Sequence, residues 1–125
     1  MIVSNYISRY CEAYFNEVAK YYPILSVSGP RQAGKTSFIK GIRPDFKYLT
    51  FEDPDVRQLF YDDPRSFLES YNENVVFDEA QKVPELFSYL QGMVDKDRRP
   101  CRFILSGSQN YLLQHNITQS LAGRI

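Results

Sequence analysis

The sequence predicts an α/β fold in three layers, a mainly parallel sheet with helices on both faces. Three observations carry that expectation. Short apolar, β-branched or aromatic runs recur at Ile24-Leu25-Ser26-Val27-Ser28, at 46–51, at Val75-Val76-Phe77 and at 102–105. Helical periodicity or helix-capping residues fill the stretches between them, and strands that alternate with helices build parallel sheets. The run Val75-Val76-Phe77 is apolar throughout, as in a strand buried on both faces.

Taken in order, residues 1–22 read as an N-terminal amphipathic helix leading into a core that spans 23–125. Tyr6, Ile7, Tyr10, Tyr14, Val18 and Tyr21 fall at three- and four-residue steps over 5–21, and Pro23 ends the pattern. A first strand follows at 24–28. Thr36-Ser37-Phe38-Ile39-Lys40 reads as helix up to Gly41, and 46–51 alternates like a second strand. Asp53-Pro54 and Asp63-Pro64 each set a capping carboxylate before a proline suited to the first helical turn, which predicts helices over 54–60 and 64–71. Asn74 opens the third strand. Pro84 starts a helix whose core stripe is Val83, Leu86, Phe87, Leu90 and Val94. A fourth strand over 102–105 closes on Ser106-Gly107-Ser108, and a last helix is expected over 109–122, ending at Gly123.

Composition narrows the function classes. A chain of 125 residues is one domain by length and can bury a real core. Its 43% apolar and 15% aromatic content is globular rather than disordered. Formal net charge is zero, so no global field recruits nucleic acid or an anionic membrane. The basic cluster Lys96-Asp97-Arg98-Arg99, with Arg102 beyond, is interrupted by acid and by Pro100 and reads as a solvated loop. Cys11 and Cys101 form no C-x-x-C, which suggests two reduced structural thiols. Nothing resembles a secretory leader or a membrane span, so the expected location is cytoplasmic, and the sequon at Asn116 is idle there. His115 stands alone and supports no catalytic role.

The chemistry begins at residues 29–36. Gly-Pro-Arg-Gln-Ala-Gly-Lys-Thr completes the pattern G-x-x-x-x-G-K-[ST], a phosphate-binding loop between a strand and a helix. Gly29 and Gly34 permit positive φ and close approach, so backbone N–H groups can ring a phosphate. The helix that follows aims its positive dipole end at the same group. The cofactor-binding set is therefore Gly29, Pro30, Arg31, Gln32, Ala33, Gly34, Lys35, Thr36 and Ser37. Lys35 suits the β- and γ-oxygens, and the Thr36 hydroxyl suits Mg²⁺.

The second motif is Val75-Val76-Phe77-Asp78-Glu79, which sets two carboxylates at the C-terminal edge of the sheet, where open α/β folds bind ligands. Asp78 is the expected metal-side carboxylate, acting through water, and Glu79 the expected general base for attack of water on a γ-phosphate. Alone this motif is weak; paired with the loop upstream it points to a nucleoside triphosphatase. The third motif, Phe103-Ile104-Leu105-Ser106-Gly107-Ser108-Gln109-Asn110, can deliver a polar group to sense the γ-phosphate. Ser108 is the chosen residue, with Gln109 and Asn110 as alternates and a plain capped turn as the bland account.

These motifs, together with Asp-Asp-Pro-Arg-Ser-Phe-Leu at 62–68 and the terminal Ser-Leu-Ala-Gly-Arg, resemble the AAA-type P-loop ATPase domain of a bacterial and archaeal family. Members of that family usually continue into a helical lid and a C-terminal domain of unknown function. The resemblance covers about residues 21–125. It implies a sheet ordered 5-1-4-3-2, ATP with Mg²⁺ as cofactors, Asp78 on the metal and Glu79 as base. It also implies that Arg124 reaches a γ-phosphate in its own or a neighbouring subunit. By that pattern the fifth strand and lid are expected to be missing from these 125 residues. A fragment, a natural truncation or completion by self-association through the first strand's uncovered edge would each account for it. Two functions follow: an Mg²⁺-dependent ATPase module driving conformational change in an assembly, or a nucleotide- or partner-binding domain with negligible turnover. No Asn-Lys-x-Asp supports a GTPase. The Asp-Glu pair also suits water activation better than small-molecule phosphorylation. The protein partner is unidentified.

Overall fold

Four short strands form one sheet: β1 (Ile24–Ser28), β2 (Lys47–Thr50), β3 (Val75–Asp78) and β4 (Phe103–Gly107). They pair in the order β1-β4-β3-β2, and every pairing is parallel. Each parallel step needs a crossover, and helices supply it. These are α2 (Lys35–Ile42), α3 (Pro54–Asp62), α4 (Pro64–Ser70) and α5 (Glu85–Lys96), with α1 (Glu12–Val18) ahead of the sheet. The structure is a computed structural model and describes residues 12–28 and 34–107. Expectations for residues 1–11, 29–33 and 108–125 lie outside those, including the last helix over 109–122.

The sheet divides the core in two. On one face Phe77, Phe103, Leu105 and Val75 pack with Phe60 of α3, Phe67 of α4 and Leu86, Leu90 and Val94 of α5. On the other, Leu25, Val27, Val76 and Ile104 meet Phe15 of α1 and Phe38 and Ile39 of α2. Residues 75, 77 and 76 thus point alternately to the two clusters, as the period-two geometry of a strand requires. The expected α/β fold, with a mainly parallel sheet in three layers, is present, and the order matches the 1-4-3-2 part of the family pattern. Among the described residues β1 pairs only with β4.

Both aspartate–proline signals work as read. Asp53 accepts a hydrogen bond from Asp55 N (2.8 Å), and Asp63 accepts one from Ser66 N (3.2 Å). The stripe Val83, Leu86, Phe87, Leu90 and Val94 is fully buried. Three expectations need correction. The first helix ends at Val18, short of residue 21, because i to i−3 bonds such as Tyr21 N to Val18 O (3.0 Å) tighten the chain into a turn before Pro23. Helix α2 runs through Gly41 to Ile42, with Arg43 N closing onto Ile39 O (2.9 Å). Burial of Ile39 against the sheet outweighs the roughly 1 kcal/mol penalty of a helical glycine. The third correction concerns Arg102, which is not part of a solvated loop.

Arg102 is only 8% exposed. Its guanidinium donates to Asn72 O (2.7 Å), Met93 O (3.0 Å) and Asp97 O (3.0 Å), tying the turn before β3 to the end of α5. Burial is the main influence lowering its pKa, and the Arg99 charge adds to it. Arg99 remains at the surface, paired with Glu73 and Asp97. Two members of the basic cluster, Arg99 and Arg102, thus have partners within the protein.

Candidate functional site

The site grows from the junction of β1 and α2. Gly34, the N-cap of α2, has φ 81° and ψ 15°, left-handed backbone that glycine adopts without strain. Lys35 is the first residue of the helix, and Thr36 and Ser37 follow in its first turn, both exposed. The expected phosphate-loop residues Gly29, Pro30, Arg31, Gln32 and Ala33 fall outside the described residues, as do Ser108, its alternates Gln109 and Asn110, and Arg124.

β3 delivers the carboxylates. Asp78 is its last residue, and parallel register sets it beside Thr50 of β2 and Ser106 of β4. Ser106 Oγ donates to Asp78 Oδ1 at 2.7 Å, a hydrogen bond strengthened by the carboxylate charge. Thr36 is reached from the other side. The Tyr48 hydroxyl donates to Thr36 Oγ1 at 3.1 Å, and the ring lies under Lys40 Nζ, 4.7 Å from its centroid. Burial raises the Tyr48 pKa most, the Thr36 hydroxyl opposes it, and the Asp78 charge raises it further. Thr36, Tyr48, Asp78 and Ser106 therefore converge at one end of the sheet.

Glu79 follows with φ 53°, in the left-handed region, and its residue is only 4% exposed. Its carboxylate accepts a 2.7 Å hydrogen bond from Gln81 Nε2. The chain then enters a single 3₁₀ turn over Ala80–Lys82 before α5. Gln81 is itself buried, and its Oε1 has no partner among the described residues.

The donors suit a small hard cation. One hydroxyl and one carboxylate are what Mg²⁺ takes from a protein when water and phosphate complete its shell. No group of three or more His, Cys, Asp or Glu capable of caging a metal occurs among the described residues. A separate cavity of about 540 Å³ opens between α4 and α5, lined by Leu68, Tyr89, Met93 and Arg102 among others. Arg102 precedes β4, so that cavity lies toward the opposite end of the strands from Asp78. Among the described residues no helix is long and apolar enough to cross a membrane.

Sequence reasoning missed Tyr48, Ser106 and Gln81 as site residues. Tyr48 reads as one more alternating strand residue, and Ser106 was passed over for Ser108. Strand alternation carries no register, so neither contact could be read locally. Gln81, two residues after Glu79, was within reach of a local reading.

A family model for an AAA domain matches residues 21–125. Uncharacterized proteins of Mycobacterium tuberculosis (strain H37Rv) and Mycobacterium bovis are each 37% identical to the chain over 106 residues. Those matches cover 82% of this chain but 24% of each relative, so the chain spans about a quarter of their length. A Walker-type ATPase of Pyrococcus abyssi superposes with a TM-score of 0.58 at 18% identity, over 94% of this chain and 51% of the other. Domain III of the Thermotoga maritima replication initiation protein DnaA gives 0.55 at 21% identity, over 92% and 61%. At such identities these two likenesses bear on the fold alone.

Proposed function

The chain belongs to the AAA domain family of ATPase-like nucleotide-binding modules, and from that premise we propose that it binds ATP with Mg²⁺ and hydrolyses it, coupling turnover to conformational change in an assembly. One observation carries the reading. The Thr36 hydroxyl and the Asp78 carboxylate face the same end of the sheet, linked through Tyr48 and Ser106 beside the start of α2.

In this reading Gly29, Arg31, Gln32, Ala33 and Gly34 offer backbone N–H groups to the phosphates, Pro30 shapes the loop between them without a donor of its own, and Lys35 binds the β- and γ-oxygens. Thr36 and Asp78 hold Mg²⁺, Asp78 through water, and Ser37 sits beside them in the first turn. Neutralising charge on the phosphates is what Mg²⁺ supplies when bound. Glu79 accepts the proton of the attacking water, Ser108 senses the γ-phosphate, and Arg124 stabilises charge developing in its own or a neighbouring site.

The second reading, binding with negligible turnover, draws on the Glu79 side chain, which is buried and held by Gln81. A general base must reach its water, so hydrolysis requires that carboxylate to come free. Single-turnover ATP hydrolysis by wild type and Glu79→Gln separates the two. The catalytic reading expects a fall of about 10²-fold or more, within the range of general-base contributions; equal rates would sink it. Calorimetry with ATP tests the site itself, since unchanged affinity in Lys35→Ala would undo the assignment. Among the described residues β1 pairs only with β4, which supports self-association along its edge, and the use of ATP with a free thiol at Cys101 supports a cytoplasmic setting. A protein partner that receives the motion completes the proposal.

A further inference from the structure

We propose that Tyr48 is a positioning residue for the metal end of the site, presenting the Thr36 hydroxyl to Mg²⁺. The inference rests on the reading of Thr36 and Asp78 as the magnesium side of an ATP site. It goes beyond that reading by assigning work to a residue of β2, a strand that carries no part of either motif.

The geometry is specific. Thr36 and Lys40 are four residues apart on α2, hence on one helical face, and both engage the same side chain. Thr36 Oγ1 accepts from the Tyr48 hydroxyl at 3.1 Å, while Lys40 Nζ sits 4.7 Å from the ring centroid. One contact fixes the phenol oxygen and the other fixes the ring. The Asp78 charge also acts on the phenol, and Asp78 is itself joined to Ser106 at 2.7 Å. Tyr48 is half-buried, while Thr36 and Lys40 are exposed, which leaves the Thr36 hydroxyl accessible to a ligand.

The chemistry follows from what a threonine hydroxyl can do. It has one proton and two acceptor lone pairs. A hydrogen bond donated by Tyr48 occupies one lone pair. The other is then directed to a cation, and the Thr36 proton is left for a phosphate oxygen. Without the phenol the Thr36 hydroxyl turns freely and loses that preset orientation. Groups behind a metal ligand act in this way, setting the ligand's direction rather than touching the ion.

The test separates this role from a structural one. A fluorescent, non-hydrolysable ATP analogue is titrated into the chain and its Tyr48→Phe variant, first in EDTA and then at rising Mg²⁺. Phenylalanine keeps the ring under Lys40 and removes only the hydroxyl; equal melting temperatures check the fold. The expected result is metal-free analogue affinity within about twofold of wild type, with the half-saturating Mg²⁺ concentration raised about tenfold, the low end for loss of such a partner. An unchanged Mg²⁺ midpoint would overturn the inference and leave the nucleotide reading intact. Equal weakening with and without Mg²⁺ would also overturn it, by making Tyr48 a packing residue. A wild-type chain that ignores Mg²⁺, or fails to bind the analogue, would remove the underlying site and this inference together.

Discussion

Arg102→Ala is expected to destabilise the fold by about 3–4 kcal/mol, and the structure shows why. The guanidinium donates to three backbone carbonyls, those of Asn72, Met93 and Asp97. Hydrogen bonds to a charged group contribute about 1.5–3 kcal/mol each, so a simple sum would approach 7 kcal/mol. Two effects reduce it. Removing the charge also removes its desolvation penalty, and the adjoining cavity of about 540 Å³ lets water reach some of the released carbonyls. Two of the carbonyls close the C-terminal end of α5, where a cation also complements the helix dipole. Against a total stability of about 5–15 kcal/mol, the loss is a large fraction. Urea unfolding followed by circular dichroism reads it directly. With a slope of about 1–3 kcal/mol/M, the midpoint should fall by about 2 M at unchanged slope. Arg99→Ala, which removes an exposed pair with Glu73 and Asp97, is the control and should leave the midpoint where it was. A fall below about 1 kcal/mol for Arg102→Ala, or equal midpoints for the two variants, would refute the account of Arg102 as a buried clamp.

Two further outcomes follow from the fold. Gly41 lies in α2 on an exposed face, and a Cβ built there meets nothing within 4 Å. Gly41→Ala should therefore stabilise the protein by about 0.5–1 kcal/mol in the same urea assay, and destabilisation would mean that the helix does not continue through that residue. Tyr61 has its pKa pushed up to about 12, chiefly by burial and then by the hydroxyl it donates to Glu85 Oε1 (2.7 Å). A raised folded pKa means the neutral phenol is favoured by folding. Its contribution is full below pH 10 and is lost as pH climbs toward 12. Absorbance titration of phenolate should show a late-titrating tyrosine that moves earlier in Glu85→Gln; a profile unchanged by that substitution would contradict the contact.

What could be read from the chain alone was what is decided locally. Asp53-Pro54 and Asp63-Pro64 announce helix starts because a cap needs only its own next three residues. Val75-Val76-Phe77 announces a doubly covered strand because hydrophobicity on consecutive residues leaves no solvent face. The stripe from Val83 to Val94 is likewise a property of one helix. The site is different. Asp78 and Glu79 stand out as a motif, yet what surrounds them depends on register between strands far apart in sequence. Ser106 reaches Asp78 because β3 and β4 pair as Asp78 with Ser106, and Tyr48 reaches Thr36 because β2 and α2 pack on one edge. Arg102 was misread for the same reason, since its three acceptors come from residues 72, 93 and 97. Gly41 shows the converse, a local stop signal overruled by burial of its neighbours.

The pairing of β1 with β4 also bears on how the protein is made. Among the described residues Ile24 to Ser28 finds its partner only at Phe103 to Gly107, with β2, β3 and four helices synthesised in between. At about 5–20 residues per second, a ribosome needs roughly 4–15 s to cross that interval. Through those seconds, among the described residues, β1 has no ladder to join. The first strand of the sheet to be synthesised is therefore among the last to be paired, and the edge formed by β4 is what completes it.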